Sequence, residues 1–470
     1  MSENQKAIKS GAWYTAANFL TRSVGLITTP IFTRLLTHEE FGLFNNFTSW
    51  VSILTILVTL NLESTFISAK YDYKDDFDGY ASSVLLLSSI SCFFAGVVLN
   101  AFYTTFQSAL GMSRVYVNAM LAYLLFLPAV NLFQAKERYS YRYKTSVALS
   151  LVITIESALL SVILVTQLVN KLDGRVYGYI VPTILIGAIL YAIIIRKGKK
   201  VRISYWKYAI KICLPYIPHL LSMSVLNSVD RIMINNICGA EDNALYSLAY
   251  NCGSVISILI VSLNTAFAPW LGDKLHSKQY SEINAFAKKY ITFFFILAVG
   301  MMIFSPEILL VLGGRSYLDA VYVMPPIACG CIYQFLYCMF VNVEQFSKKT
   351  VGMAIASTTA ALLNYGLNLV FIPVYGYVAA AYTTLAGFLW LLLAHMFIVY
   401  RYGLKMVYPY RFIGFAALAA VLITTGVNVL YYFNTVRYLL GAAYLAGICV
   451  FMYKKKEEIF SWLKQTRKSH

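Results

Sequence analysis

Long apolar runs alternate with short charged breaks along almost the whole chain. Runs of roughly 20 residues can cross about 30 Å of hydrocarbon as helix, since each residue advances an α-helix by about 1.5 Å. The pattern predicts helices over 11–35, 41–68, 80–101, 114–134, 146–168, 176–195, 208–236, 243–268, 288–312, 320–344, 351–371, 377–400, 411–431 and 437–453. No break is long enough for a separate soluble domain. The expected fold is an all-α polytopic membrane protein of about fourteen transmembrane helices, because apolar runs of this length satisfy their own backbone in lipid as helices.

The most basic break, RKGKKVRISYWK from Arg196 to Lys207, divides six helices from the eight that follow. It reads as a cytoplasmic linker, and its charge also suits anionic lipid headgroups. An internal repeat crosses it at an offset of roughly 200 residues. RLLTHEEFGLF (Arg34 to Phe44) aligns with NICGAEDNALY (Asn236 to Tyr246), and DGRVYGY (Asp173 to Tyr179) aligns with YGYVAAA (Tyr375 to Ala381). The simplest division is a six-helix lobe over 1–195, the linker over 196–207, a second six-helix lobe over 208–400, and two extra helices with a basic tail over 401–470.

Composition agrees with lipid as the solvent: 59% of residues are hydrophobic, 13% are charged and mean hydropathy is +0.65. The net charge of +17 does not point to nucleic acid, since Lys and Arg fall in short clusters between spans and form no continuous face. With a cytoplasmic N-terminus, inside loops collect about 30 of these cations and outside loops about 6. Both termini are then expected inside, and the first helix is read as retained and not as a cleaved leader. The eight cysteines are scattered without CxxC spacing and read as small buried residues, so neither a metal nor another cofactor is expected.

Three stretches carry a family resemblance: TRLLTHEEFGLF (Thr33 to Phe44), SVDRIMINNICG (Ser228 to Gly239) with ALYSLAYN (Ala244 to Asn251), and KKTVGMAIASTTAALLNYGLNLVFIPVYGYVAAA (Lys348 to Ala381). With them the chain resembles the Wzx-type flippases of lipid-linked oligosaccharides, polysaccharide exporters of the multidrug/oligosaccharidyl-lipid/polysaccharide (MOP) superfamily. It departs from the family pattern at Ala244, where Gly usually precedes Leu-Tyr, and at Ala379 and Ala380. The resemblance implies two six-helix lobes around a cavity open alternately to either side, and export of an undecaprenyl-diphosphate-linked sugar repeat across a bacterial cytoplasmic membrane. It also implies membrane lipids and a polysaccharide polymerase with its chain-length machinery as partners.

Intramembrane polar residues give candidate sites independently of this resemblance. In the first helix Thr15, Asn18, Arg22, Thr29 and Thr33 share a face. Arg22 suits a diphosphate or acidic sugar through its bidentate fork, or else an ion pair with Glu63 or Glu156. Asn227, Arg231 and Asn235 recur every four residues, and Asp230 beside Arg231 serves either as an ion-coupling group or as a pin between helices. Ser52, Thr55, Thr59 and Glu63 form a stripe ending in a carboxylate suited to proton or sodium coupling. Glu156 has apolar helical neighbours and is a second coupling candidate. Ser357, Ala361, Asn364 and Asn368 share a face suited to interhelical hydrogen bonds or sugar contact. Glu344 is expected near the interface and solvated, and His219 and His395 are expected to be structural.

No nucleotide-binding GxxxxGK[ST] loop, HExxH or GxSxG is present, so a carrier is expected and not an enzyme. The remaining enzyme reading, a membrane glycosyltransferase or polymerase, rests on Asp76 and Asp78 as a metal-holding DxD-like pair in a loop of about a dozen residues. Ion-coupled drug efflux and lipid II flipping are alternatives within the same superfamily.

Overall fold

The computed structural model describes residues 20–21, 23–139, 143–199, 201–347 and 351–454. These residues are almost wholly helical and contain no strand. Eleven helices are long and apolar enough to cross a membrane, and a bent pair makes a twelfth span. Of the two remaining expected spans, 11–35 is only partly described, and 437–453 falls in a 21-residue helix, Asn434–Lys454, that is not among the eleven.

The chain begins its described course with α1 (residues 23–35) and turns into α2 (His38–Thr59). The turn is built by THEE: the Thr37 hydroxyl accepts from the Glu40 amide at 3.1 Å, and the Glu40 carboxylate accepts from the Thr37 amide at 2.8 Å. This reciprocal cap satisfies two otherwise orphaned donors. Helix α2 ends earlier than expected because Leu60 and Asn61 adopt left-handed conformations, followed by a tight turn over Leu62–Thr65 and the short α3 (Phe66–Asp72). The rest of the N-terminal half comprises α4 (Phe77–Ala101), α5 (Tyr103–Leu110), α6 (Arg114–Tyr139), α7 (Tyr143–Gln167) and α8 (Lys171–Gly198).

The span expected over 208–236 is bent by 57° between α9 (Ile203–Cys213) and α10 (Ile217–Ile237). Pro215 and Pro218 explain the break, since neither donates a backbone hydrogen bond and each ring crowds the preceding turn. Helix α9 folds back onto the N-terminal half. Its Trp206 indole donates to the Ser83 carbonyl at 2.6 Å, and its Tyr205 and Tyr208 phenols donate to Asp76 at 2.8 Å and Asp72 at 2.5 Å. Asp76 also pairs with Arg202 at 3.3 Å, and Asp78 pairs with Lys136. The two aspartates of the DxD-like loop are thus both engaged: Asp76 fastens the linker through Arg202 and Tyr205, and Asp78 ties the loop to α6 through Lys136.

The C-terminal half comprises α11 (Ala240–His276), α12 (Tyr280–Ile303), α13 (Ser305–Leu312), α14 (Met324–Phe346), α15 (Val351–Tyr375), α16 (Tyr377–Arg401), α17 (Tyr410–Leu430) and α18 (Asn434–Lys454). One large apolar core fills this half and takes in Phe32 of α1, Leu36 of the α1–α2 turn and Phe41 of α2. Two smaller clusters, around Tyr80 and around Phe47 and Leu124, fill the N-terminal half.

The halves meet where α2 packs against α10 and α11. Their hydrogen bonds concentrate at the end that carries the α1–α2 turn. There Thr33 and Arg34 donate to the carbonyls of Leu312 (2.6 Å) and Val311 (3.1 Å), and Asn243 donates to the carbonyl of Gly42 (2.8 Å). The turn after α5 is held from both sides: Asn46 of α2 donates to Leu110 at 2.8 Å, and Asn236 of α10 donates to Ala109 at 2.7 Å. Gly42 permits the closest approach, since a Cβ there would lie 1.7 Å from the Ala240 carbonyl oxygen.

Candidate functional site

Asp230 of α10 is buried at the junction of four helices. One carboxylate oxygen accepts from the Asn368 amide of α15 at 2.6 Å. The other accepts from the Tyr246 phenol of α11 at 2.7 Å and from the Thr384 hydroxyl of α16. Asn368 in turn accepts from Thr383 and donates to Asn364 at 3.4 Å, and Asn364 donates to Thr384 at 3.4 Å. Asp230, Asn364 and Asn368, singled out separately in the sequence, therefore form one network. Among the described residues no Lys, Arg or His lies within salt-bridge distance of Asp230. Hydrogen bonds to a charged acceptor contribute about 1.5–3 kcal/mol each, and they are what offsets desolvation of this carboxylate.

Arg231 turns away from its neighbour into a cavity of about 380 Å³ that also exposes Ser52, Asn227, Tyr250, Ser257 and Gln334. Its guanidinium lies 4.5 Å from the centre of the Tyr250 ring, and its buried Nε has no hydrogen-bond partner. Tyr250 also donates to Asn227 at 3.2 Å. Thr384 borders this cavity as well, so a single hydroxyl separates Asp230 from the space beside Arg231.

A second cavity of about 370 Å³ lies between α1, α2, α8 and α11, bordered by Thr29, Phe44, Asn45, Arg175 and Asn251. Arg175 was quoted above only as part of a repeat. Its guanidinium sits between the rings of Phe32 (3.8 Å) and Phe44 (4.1 Å) and donates to the Ser161 hydroxyl at 2.9 Å, while its buried Nε has no partner. Among the described residues neither Arg175 nor Arg231 has a carboxylate within salt-bridge distance. Local pattern carries little signal for Arg175, which lies one residue before the apolar run over 176–195, in a stretch that also holds Lys171 and Asp173 and reads as a break between spans.

The other sequence candidates lie elsewhere. Asn18 and Arg22, with Thr15, fall outside the described residues. Glu63 is not on the stripe of Ser52, Thr55 and Thr59, because α2 has ended before it; it sits in the Leu62–Thr65 turn, where Arg138 is a nearby cation. Glu156 is not enclosed by apolar protein neighbours. It is exposed on α7 along a stripe with Val152, Ile155, Leu159 and Ile163. Asn364 and Asn368 are fully buried within their network. Glu344, expected to be solvated, is also fully buried and pairs with His395 at 2.6 Å.

Comparison with known proteins bears on the whole chain. The fold is similar to that of lipid II flippase MurJ in an inward closed conformation, with a TM-score of 0.70 and 16% identity, covering 94% of this chain and 99% of that one. It is also similar to an inward-facing multidrug resistance MATE family transporter of the MOP superfamily, with a TM-score of 0.58 and 15% identity over 87% of this chain and 95% of that one. In sequence the chain is 24% identical to Lsg locus putative protein 1 of Haemophilus influenzae, over 67% of this chain and 79% of the relative. It is 20% identical to an uncharacterized membrane protein of Methanocaldococcus jannaschii, over 83% of each. Residues 7–274 match the family described as polysaccharide biosynthesis protein. That match covers more than half of the chain, which is a multi-pass membrane protein with the MOP transporter fold and a member of the polysaccharide biosynthesis protein family.

Proposed function

We propose that the protein moves undecaprenyl-diphosphate-linked oligosaccharide repeat units from the cytoplasmic to the outer leaflet of a bacterial inner membrane, by alternating access, for capsule, O-antigen or a related glycan. The observation that carries this reading is the placing of two guanidiniums, Arg175 and Arg231, on cavities where the halves meet, without carboxylate partners among the described residues. Each is flanked by uncharged hydrogen-bonding groups: Asn45 and Asn251 near Arg175, and Asn227, Ser257 and Gln334 near Arg231. Guanidinium suits phosphate oxygens, and amides and hydroxyls suit sugar hydroxyls. From the sequence alone, Arg22, with Asn18 four positions before it, is proposed as a further substrate contact.

The uneven distribution of Lys and Arg supports a reading with the hydrogen-bonded end of the halves outside and both termini in the cytoplasm. In this reading the molecule is sealed outward, and the sugar diphosphate enters from the cytoplasmic side while the polyprenyl tail stays in lipid. Asp230 is the coupling group: a buried carboxylate held by two hydroxyls and an amide, with no Lys, Arg or His within salt-bridge distance among the described residues, suits a proton or sodium ion. Glu63 and Glu156 remain secondary coupling candidates. Because an ion bound equally in both states shifts nothing, its binding must differ between them.

The family match favours the glycan reading over ion-coupled drug efflux or lipid II flipping, which suit the same architecture. Deleting the gene tests it: lipid-linked repeat units should accumulate on the cytoplasmic side and surface glycan should fall. Unchanged glycan with altered drug tolerance would favour efflux.

A further inference from the structure

A third cavity, of about 700 Å³, lies at the hydrogen-bonded end of the halves. Phe47 of α2 and Leu172 of α8 are among its apolar borders. Its polar borders include Gln107 and Ser108 of α5, Ser113 of the following turn, and Asn235 and Asn236 of α10. Among the described residues no charged side chain borders it. Gln107, Ser108 and Ser113 are exposed, and their side chains make no hydrogen bond among the described residues.

This cavity follows the Arg231 cavity along the seam between α2 and α10. Asn227, Arg231 and Asn235 recur at four-residue steps, about 6 Å of helix rise each. The first two border the Arg231 cavity and the third borders this one. On α2, Ser52 borders the former and Phe47 the latter. The seam closes at Gly111, which is left-handed at φ 57°. A Cβ there would collide with the Asn235 and Asn236 amides and lie 3.3 Å from Asn46 Nδ2, so amides from both halves converge on the turn. The Oδ1 atoms of Asn46 and Asn235 are buried without a partner. They are acceptors that a hydroxyl donor satisfies once the seam parts.

A phosphate would find no cation on these borders, in contrast to the cavities of Arg175 and Arg231. Amides and hydroxyls supply both donors and acceptors without charge, which matches ring hydroxyls, and the apolar borders match the C–H faces of a sugar. The volume falls in the range of about 300–1,000 Å³ typical of small-molecule sites. We propose that this cavity is a saccharide-binding site, separate from the arginine cavities, that takes the glycan part of the cargo on the outer side as it leaves Arg231. The inference rests on the glycan reading of the cargo.

Protection of an introduced thiol tests it on the full-length protein in detergent. Ser108→Cys places the thiol on the cavity, and Thr104→Cys repeats the measurement from a second bordering position. Modification by a maleimide is followed by mass spectrometry, with the exposed native Cys449 as reference. The probes are the repeat-unit oligosaccharide freed from its lipid, and undecaprenyl diphosphate without sugar. At saturation the free oligosaccharide should slow modification about fivefold or more at the introduced thiol and leave Cys449 unchanged, while undecaprenyl diphosphate should not slow it. Adding Gln107→Ala should raise the half-protecting concentration about tenfold, as loss of one hydrogen bond to the ligand would. No protection by the oligosaccharide at either position, or equal protection by undecaprenyl diphosphate, would overturn the proposal. Flipping by the same variants separates this from failure of the cargo reading. Movement of the lipid-linked sugar without protection removes the site alone, and absence of both removes the cargo reading with it.

Discussion

Thr384 of α16 donates its hydroxyl to the Asp230 carboxylate of α10 and also borders the cavity that contains Arg231. The proposed coupling group and a proposed phosphate ligand are thus adjacent in sequence, on opposite sides of one threonine. This gives the ion site a short physical route to the cargo site: a shift of α16 against α10 changes both at once.

Replacing Asp230 separates charge from structure. Asp230→Asn keeps the size of the side chain, and transport by it should no longer respond to an imposed proton or sodium gradient. Asp230→Ala leaves the donors of Tyr246, Asn368 and Thr384 without their acceptor and should cost about 2–5 kcal/mol of stability. Thermal unfolding and gradient-driven uptake in vesicles check the two effects separately.

Arginine at both cavities is expected to resist conservative exchange. Arg175→Lys loses the planar group held between Phe32 and Phe44, and Arg231→Lys loses the contact with Tyr250. Each should lower substrate transport by about tenfold or more while the protein still accumulates in the membrane, since an ammonium reproduces neither the stacking nor the bidentate fork. Wild-type transport by both lysine variants would argue against direct diphosphate contact.

Much of this arrangement was legible in the sequence. Asp230, Asn364 and Asn368 stood out because polar residues at helical spacing inside apolar runs need partners, and the structure shows they are one another's partners. Glu344 was misplaced because distance from a predicted helix end was taken as depth; the α14–α16 contact buries it against a histidine 51 positions away, and no local pattern encodes that. Glu63 was assigned to a helical stripe because left-handed residues at Leu60 and Asn61 are not evident from an apolar run. The bend before α10 was marked by Pro215 and Pro218, but hydropathy alone runs through them.

Gly42 tests the contact between the halves. Gly42→Val places a branched side chain against the Ala240 carbonyl and should separate α2 from α11 at the proposed outer end. Spin labels placed on exposed positions of α5 and α13 should report a longer distance in the variant than in wild type. An unchanged distance in a folded variant would show that this approach does not hold the halves closed.

The last helix is fixed at its start by Arg437, whose guanidinium forms two hydrogen bonds to Glu307, at 2.6 and 2.7 Å, and a third to the Ile303 carbonyl at 3.1 Å. The Arg437 side chain is 3% exposed and that of Glu307 38%, so water screens part of the pair. Arg437→Ala should destabilise the protein by about 2 kcal/mol and leave the substrate preference of the remaining folded protein unchanged. Unfolding and transport assays on the same preparation distinguish these effects.

Flipping of a defined undecaprenyl-diphosphate oligosaccharide by the purified protein in sealed vesicles, with imposed proton or sodium gradients, tests the central claim most directly. The sugar headgroup should become accessible on the opposite face at a rate that depends on the gradient in wild type and collapses in Arg175→Lys and Arg231→Lys. Gradient-driven movement of cationic drugs, with no movement of the lipid-linked sugar by folded wild-type protein, would contradict it.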